Sequence, residues 1–168
     1  MKYILSVSLL IFLCGNILSQ CVSGNCINGK GTFIYNNKDK YSGDFKKGTR
    51  HGEGEYLFAN GDKYIGEFKK NERTGEGLYI YANGDIYEGH WKNGMFHGKG
   101  KLTYANKAVY EGKFKDGNRY GKGKFTNPSG ETLIGKWKNN NINGPGIKIT
   151  ADGKTIKGTF TDGNFTAK

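Results

Sequence analysis

A step of 23 residues runs through the chain and limits what it can fold into. Tyr41, Tyr64, Tyr87 and Tyr110 are spaced by 23, and the same step reaches Leu133 and Ile156. Gly43, Gly66, Gly89, Gly112, Gly135 and Gly158 follow two residues behind; Phe45, Phe68, Trp91, Phe114, Trp137 and Phe160 follow four behind. Two more glycine series, from Gly29 to Gly52, Gly75, Gly98, Gly121 and Gly144 and from Gly31 to Gly54, Gly77, Gly100, Gly123 and Gly146, keep the step. A period of this size describes a stack of supersecondary units, none able to bury its own apolar face alone.

Within one unit the relevant period is two, which marks strands. Tyr41, Gly43 and Phe45 share one face; Gly52, Gly54, Tyr56 and Phe58 share one face of a second strand. Ser42, Asp44, Glu53 and Glu55 point the other way. Lys47-Gly48-Thr49 reads as the turn inside the unit, and Asn60-Gly61-Asp62 as the turn to the next, Asn-Gly being a strong hairpin signal. The expected fold is all-β: an elongated single-layer antiparallel sheet of tandem β-hairpin repeats. Composition agrees with a thin sheet. With 28 Gly, 11 Tyr, 10 Phe and 2 Trp, and few aliphatics after position 20, rings must pack over bare glycine backbone.

The ends depart from the pattern. Met1-Lys2-Tyr3 followed by the apolar run Ile4–Leu13 reads as a secretory signal peptide over residues 1–20, too short for a membrane span of about 20 apolar residues. Cleavage is expected near Ser19, Gln20 or Ser23. Residues 21–40 read as an N-terminal half-repeat, 41–160 as the tandem array and 161–168 as a polar tail that follows Phe160 with no strand of its own. Cys21 and Cys26 flank a Ser23-Gly24-Asn25 turn and form an even pair in an exported chain, so a disulfide is expected. The alternative makes Cys21 the lipid-modified first residue of an envelope lipoprotein, although Gln20 stands where a small residue is usual.

The pattern Y-x-G-x-F/W…G-x-x-H-G-x-G resembles the MORN (membrane occupation and recognition nexus) repeat, over about residues 27–160. His51 and His97 occupy the histidine slot, which Thr74, Tyr120 and Asn143 fill elsewhere. The resemblance implies an elongated, curved sheet that scaffolds, self-associates, binds partner proteins and contacts phospholipid.

Catalytic patterns are lacking. No G-x-x-x-x-G-K-[ST] loop occurs, and the G-x-G steps lie in strands rather than at a helix entrance. His51 and His97 fall four strands apart, about 19 Å at the usual strand spacing, too far to share a metal. The Asn60-Gly61-Asp62 and Asn83-Gly84-Asp85 turns need no Ca²⁺ to explain them. No enzymatic activity, metal or cofactor is expected.

Charge supplies the remaining lead. The chain carries 26 Lys+Arg against 15 Asp+Glu, a net of +11. Lys46, Lys47, Lys69, Lys70, Lys92, Lys115 and Lys138 recur at the turn edges, where they could meet an anionic surface or keep the sheet from pairing with others. The polar face is acid-rich early (Asp44, Glu53, Glu55, Glu67, Glu76) and basic later (Lys99, Lys101, Lys113, Lys122, Lys124). The expected function is a non-enzymatic protein-binding scaffold outside the cytoplasm, secreted or in the cell envelope. The alternative is a peripheral binder of anionic membrane lipid or acidic envelope polysaccharide. Nucleic acid is disfavoured, because the rings are committed to glycine packing.

Overall fold

The computed structural model describes residues 19–168. The expected signal peptide lies outside them, apart from Ser19 and Gln20. Fourteen strands follow one another: β1 (Gln20–Gly24), β2 (Asn28–Ile34), β3 (Lys40–Lys46), β4 (Thr49–Leu57), β5 (Lys63–Lys69), β6 (Glu72–Ile80), β7 (Ile86–Lys92), β8 (Met95–Thr103), β9 (Val109–Lys115), β10 (Asn118–Thr126), β11 (Thr132–Lys138), β12 (Asn141–Ile149), β13 (Thr155–Thr161) and β14 (Asn164–Ala167). All pair antiparallel in one open sheet whose spatial order is the sequence order. The single-sheet hairpin stack expected from the sequence is therefore the fold.

Two kinds of turn alternate, and the tighter one is not the Asn60-Gly61 turn. Lys47 and Gly48 join β3 to β4 with φ of 52° and 71°, the doubly positive backbone of a two-residue type I′ hairpin. Asn93-Gly94 and Asp116-Gly117 repeat it. Asn60-Gly61 lies instead in a five-residue link, where the Gly61 amide donates to the Phe58 carbonyl and the Phe58 amide to that of Asp62. The Asn60 side chain accepts from the Asp62 amide, which ties the wider link together without a metal.

Glycine forms a column across the sheet, with Gly43 opposite Gly54, Gly54 opposite Gly66, Gly66 opposite Gly77 and so on to Gly146 opposite Gly158. The tyrosine rings fill the space this leaves. A Cβ on Gly54 would stand 2.4 Å from Tyr41 Cε2, and one on Gly100 would stand 2.8 Å from Tyr87 Cε2. Each ring thus lies over the glycine of the neighbouring strand, and its hydroxyl closes over the glycine two residues along its own, a Cβ on Gly43 standing 2.5 Å from the Tyr41 hydroxyl. Tyr41, Tyr64, Tyr87 and Tyr110 are fully buried. Their hydroxyls donate to the carbonyls of Asp44, Glu67, His90 and Lys113, three residues on, so each of the four buried hydroxyls is paired. In the last units Leu133 and Ile156 hold the slot, and Phe160 covers Gly146 instead.

Both ends differ from the simplest reading of the sequence. β1 pairs with β2, and Cys21–Cys26 is a disulfide across their turn. That bond occupies the Cys21 sulfur which lipid attachment would need. Residues 161–168 were expected to lack a strand; Asn164–Ala167 instead forms β14 on β13, and Phe165 packs on Phe160 with ring centroids 4.9 Å apart. Gly158, opposite Ala167, repeats the glycine column, and Phe165 supplies the apolar residue that a polar reading of the tail overlooked. The final strand is only four residues long, which leaves little edge for another sheet to join.

Candidate functional site

The two faces of the sheet offer different chemistry. On the ring face, Phe68 and Trp91 wedge edge-on between tyrosines of adjacent units: Trp91 lies 5.0 Å from Tyr64 and 5.4 Å from Tyr87, close to perpendicular to each. The Trp91 indole N–H donates to the Gly77 carbonyl, and Trp137 repeats this with Gly123. The ring residues singled out from the sequence (Tyr41, Phe45, Tyr64, Phe68, Tyr87, Trp91, Tyr110, Phe114 and Trp137) are all buried; of the glycines beneath them Gly66 is buried and Gly43, Gly52, Gly54, Gly89, Gly112 and Gly135 are half-buried. They form the core and present little surface to a ligand.

What the ring face exposes is a second set that sequence reading did not single out. Arg50, Arg73 and Arg119 follow the two-residue turns. Each donates through Nη2 to a carbonyl in the next unit's turn, of Asn71, Gly94 and Asn140. Each guanidinium also lies on a ring, with Arg50 at 4.7 Å from Tyr56, Arg73 at 4.4 Å from Trp91 and Arg119 at 4.5 Å from Trp137, the geometry of cation–π contact. Phe96 takes the place in the intervening unit and stacks on Tyr87 at 3.6 Å. Beside this row, Tyr35, Phe58, Tyr81 and Tyr104 are only half-buried. The 23-residue recurrence of both sets was available in the sequence.

Together they line three cavities related by one unit. Phe33, Tyr35, Phe45 and Arg50 border a cavity of about 280 Å³. Tyr56, Phe58, Phe68 and Arg73 border the next, about 260 Å³. Tyr79, Tyr81, Trp91 and Phe96 border the third, about 240 Å³. Neighbours lie two strands apart, about 9.6 Å at the usual spacing.

A clamp of aspartates fixes their spacing. The Asp39 carboxylate accepts from the Tyr56 hydroxyl at 2.6 Å and the Ala59 amide at 2.8 Å; Asp62 does the same with Tyr79 and Ala82 at 2.7 and 2.8 Å. Burial works against their ionisation, but the donated hydrogen bonds outweigh it and hold both carboxyls below the usual carboxylate range. These bonds occupy the Asp62 oxygens that a turn-bound cation would use. Among the described residues no group of three or more His, Cys, Asp or Glu is placed to hold a metal.

The tyrosines titrate in the opposite sense. Burial pushes the Tyr110 hydroxyl up to about 12 and those of Tyr41, Tyr64 and Tyr87 further. A pKa higher in the folded state means stability that is complete below the unfolded tyrosine pKa and declines as pH rises through the folded values. The melting temperature should therefore hold steady from neutrality to about pH 10 and fall above it. Circular dichroism melts across that range measure it; a flat profile to pH 12 would show that the four rings are not held as described.

The edge lysines Lys46, Lys47, Lys69, Lys70, Lys92, Lys115 and Lys138 are all exposed, and none forms an ion pair among the described residues. His90 Nε2 meets Glu76 at 3.0 Å on the polar face, and His97 Nδ1 lies 3.7 Å from Asp116. His51 joins neither.

Comparison with known proteins places this arrangement. The MORN repeat matches residues 27–40, 41–63, 64–86, 87–109, 110–132 and 134–155. No curated protein matches the chain. Among solved structures, the SAS-4 (dCPAP) TCP domain of Drosophila melanogaster, in complex with a proline-rich motif of Ana2 (dSTIL), is similar with a TM-score of 0.56 at 12% identity, covering 95% of this chain and 85% of that one. The TCP10 domain of Danio rerio CPAP, in complex with a STIL peptide, gives 0.40 at 12% identity, covering 86% and 70%. The second likeness is too slight to build on, and the first establishes a shared sheet architecture. With six units matched along its length, the chain belongs to the MORN repeat family.

Proposed function

We propose that this chain is a non-enzymatic binding scaffold that holds an extended, proline-rich protein segment across its ring face, outside the cytoplasm. The observation that carries this reading is the row of three equivalent cavities, each walled by half-buried aromatics and an arginine. Their spacing of about 9.6 Å matches three residues of polyproline II helix, about 9.3 Å. A segment with proline at every third position would seat one ring per cavity while running across the strands. Aromatic-lined grooves recognise such segments because little chain entropy is lost on binding. The similar SAS-4 domain holding a proline-rich motif supports this choice. Export is supported by the apolar run Ile4–Leu13 and by the Cys21–Cys26 disulfide, a bond that persists in oxidising compartments.

Titration of a (Pro-x-x)₄ peptide, followed by the fluorescence of Trp91 and Trp137, tests it. Binding should be saturable and should weaken about tenfold or more in a Phe58→Ala/Tyr81→Ala variant. Equal binding by the variant, or none by the parent chain, would remove this reading.

A second reading rests on the unpaired edge lysines, which could hold the sheet against anionic lipid or acidic polysaccharide. Phosphatidylserine vesicles distinguish it: it requires co-sedimentation at low salt that Lys69→Glu/Lys70→Glu diminishes.

A further inference from the structure

On the face opposite the rings, one slot of the repeat changes sign along the stack. Asp44, Glu67, His90, Lys113 and Lys136 fill it, at the 23-residue step. Beside the slot each hairpin bulges at a glycine of positive φ: 58° at Gly52, 59° at Gly75, 65° at Gly98 and 66° at Gly121. A bulge leaves an amide outside the regular ladder, and in the first two units a carboxylate takes it. Asp44 Oδ2 accepts from the Glu53 amide and Glu67 Oε1 from the Glu76 amide, both at 3.2 Å. In the third and fourth units the backbone is the same and the carboxylate is gone. Among the described residues no side chain accepts from the amides of Lys99 and Lys122: His90 turns its Nε2 to Glu76 at 3.0 Å, and Lys113 has no acceptor to offer. In the fifth unit the slot holds Lys136 and the amide's place is taken by Pro145, which has no N–H to satisfy.

The two open amides lie among unpaired cations. Lys99, Lys113, Lys122 and Lys136 stand one on each strand from β8 to β11, exposed and, among the described residues, without an ion pair. Glu111 on β9 is taken by Lys101 and Lys124 at 3.7 and 4.0 Å. Lys99 is directly opposite Lys113, and Lys122 opposite Lys136, a like-charge pairing that destabilises a sheet. A cavity of about 280 Å³ opens between Lys99, Lys113 and Lys122. The next, about 470 Å³, is bordered by Lys122, Lys124 and Lys136 and by the apolar Ile134, Pro145 and Ile147.

We propose that this half of the polar face binds a linear acidic polysaccharide by its carboxylates, with the sugar chain crossing β8 to β11. Its carboxylates take the Lys99 and Lys122 amides as Asp44 and Glu67 take theirs, and the lysines supply the counter-charge. The lysines recur at the strand spacing of about 4.8 Å, close to the advance of one sugar in an extended chain, and the two amides at about twice that. A pyranose ring has an apolar C–H face, which Ile134, Pro145 and Ile147 can receive while its carboxylate reaches the lysines. An anionic bilayer fits less well, because a flat surface laid along this face would also meet Asp44, Glu53, Glu67 and Glu76. A stretch of about four sugars, matching four strands at that spacing, ends short of those acids. This site is separate from the edge lysines and from the cavities of the ring face.

Isothermal titration calorimetry of the purified chain with tetragalacturonate tests the proposal. Binding should be saturable at about 0.05 M salt and weaken about tenfold or more by about 0.5 M. Lys113→Gln/Lys122→Gln should weaken it at least about tenfold, whereas the charge-matched edge variant Lys69→Gln/Lys70→Gln should stay within about twofold of the parent. Lys113→Glu supplies the missing carboxylate from within the chain. It should abolish binding yet melt no lower than the parent, because it also removes the like-charge pair with Lys99. A parent that does not bind at low salt, a Lys113→Glu chain that binds as the parent does, or an equal loss in the edge variant would each overturn the proposal. Tetraglutamate bound as tightly as tetragalacturonate would overturn it too, by assigning the lysines to an acidic polypeptide.

Discussion

Gly89→Val should lower stability by about 3 kcal/mol, the upper part of the range for overpacking, and the melting temperature by roughly 10 °C. The glycine lies in the middle of the column. A Cβ there would stand 2.5 Å from the Gly100 Cα and 2.6 Å from the Lys99 carbonyl oxygen. Both are backbone atoms of the paired strand, so no rotamer change relieves the clash. The φ of 154° adds strain for a β-branched residue. Gly117→Asn is the control. Its φ of 81° suits asparagine, and no atom lies within 4 Å of the added Cβ, so its melting point should stay within a few degrees of the parent's. Equal melting of the two variants would refute the close-packed column.

Trp91→Ala should cost about 3–5 kcal/mol, the usual range for removing a large buried aromatic, and should also change the form of unfolding. Trp91 is 5% exposed and touches Tyr64, Tyr79, Tyr87, Phe96 and the Arg73 guanidinium. These residues belong to two successive units, so Trp91 sits in the interface between them. In a linear stack, stability is the sum of unit terms and nearest-neighbour interfaces, and a weak central interface uncouples the halves. Calorimetry should show the parent's single transition broaden or split. Trp137→Ala lies nearer the end of the stack and should shift the transition without splitting it. A sharp single transition for Trp91→Ala would contradict this coupling.

The sequence made the architecture legible because each repeat constrains every other. Tyr at 41, 64, 87 and 110 with Gly two residues on leaves one strand phase, and the strands from β2 to β13 follow from it. The direction of each ring was less legible. Periodicity of two places Tyr87 and Gly89 on one face, but cross-strand register alone shows that the ring lies over Gly100. The tail is less legible for a related reason: Phe165 is one apolar residue among polar ones, and its packing on Phe160 depends on a hairpin that composition does not announce. The candidate site was legible only in part. Arg50, Arg73 and Arg119 keep the repeat spacing and lie two residues before Gly52, Gly75 and Gly121, so alternation alone puts them on the ring face; their pairing opposite Phe45, Phe68 and Phe114 depends on the bulge that shifts register in each hairpin. A two-residue alternation cannot anticipate such a bulge.

Strict sequential pairing has a mechanical consequence. Each strand is bonded only to its chain neighbours, so tension on the two ends loads the outermost hydrogen bonds one after another, as a zipper is opened, rather than shearing many rows at once. The sheet should pay out length hairpin by hairpin at low force, and on release each hairpin can re-form on the template still standing. A chain built this way can lengthen under load and recover, with the innermost units the last to open.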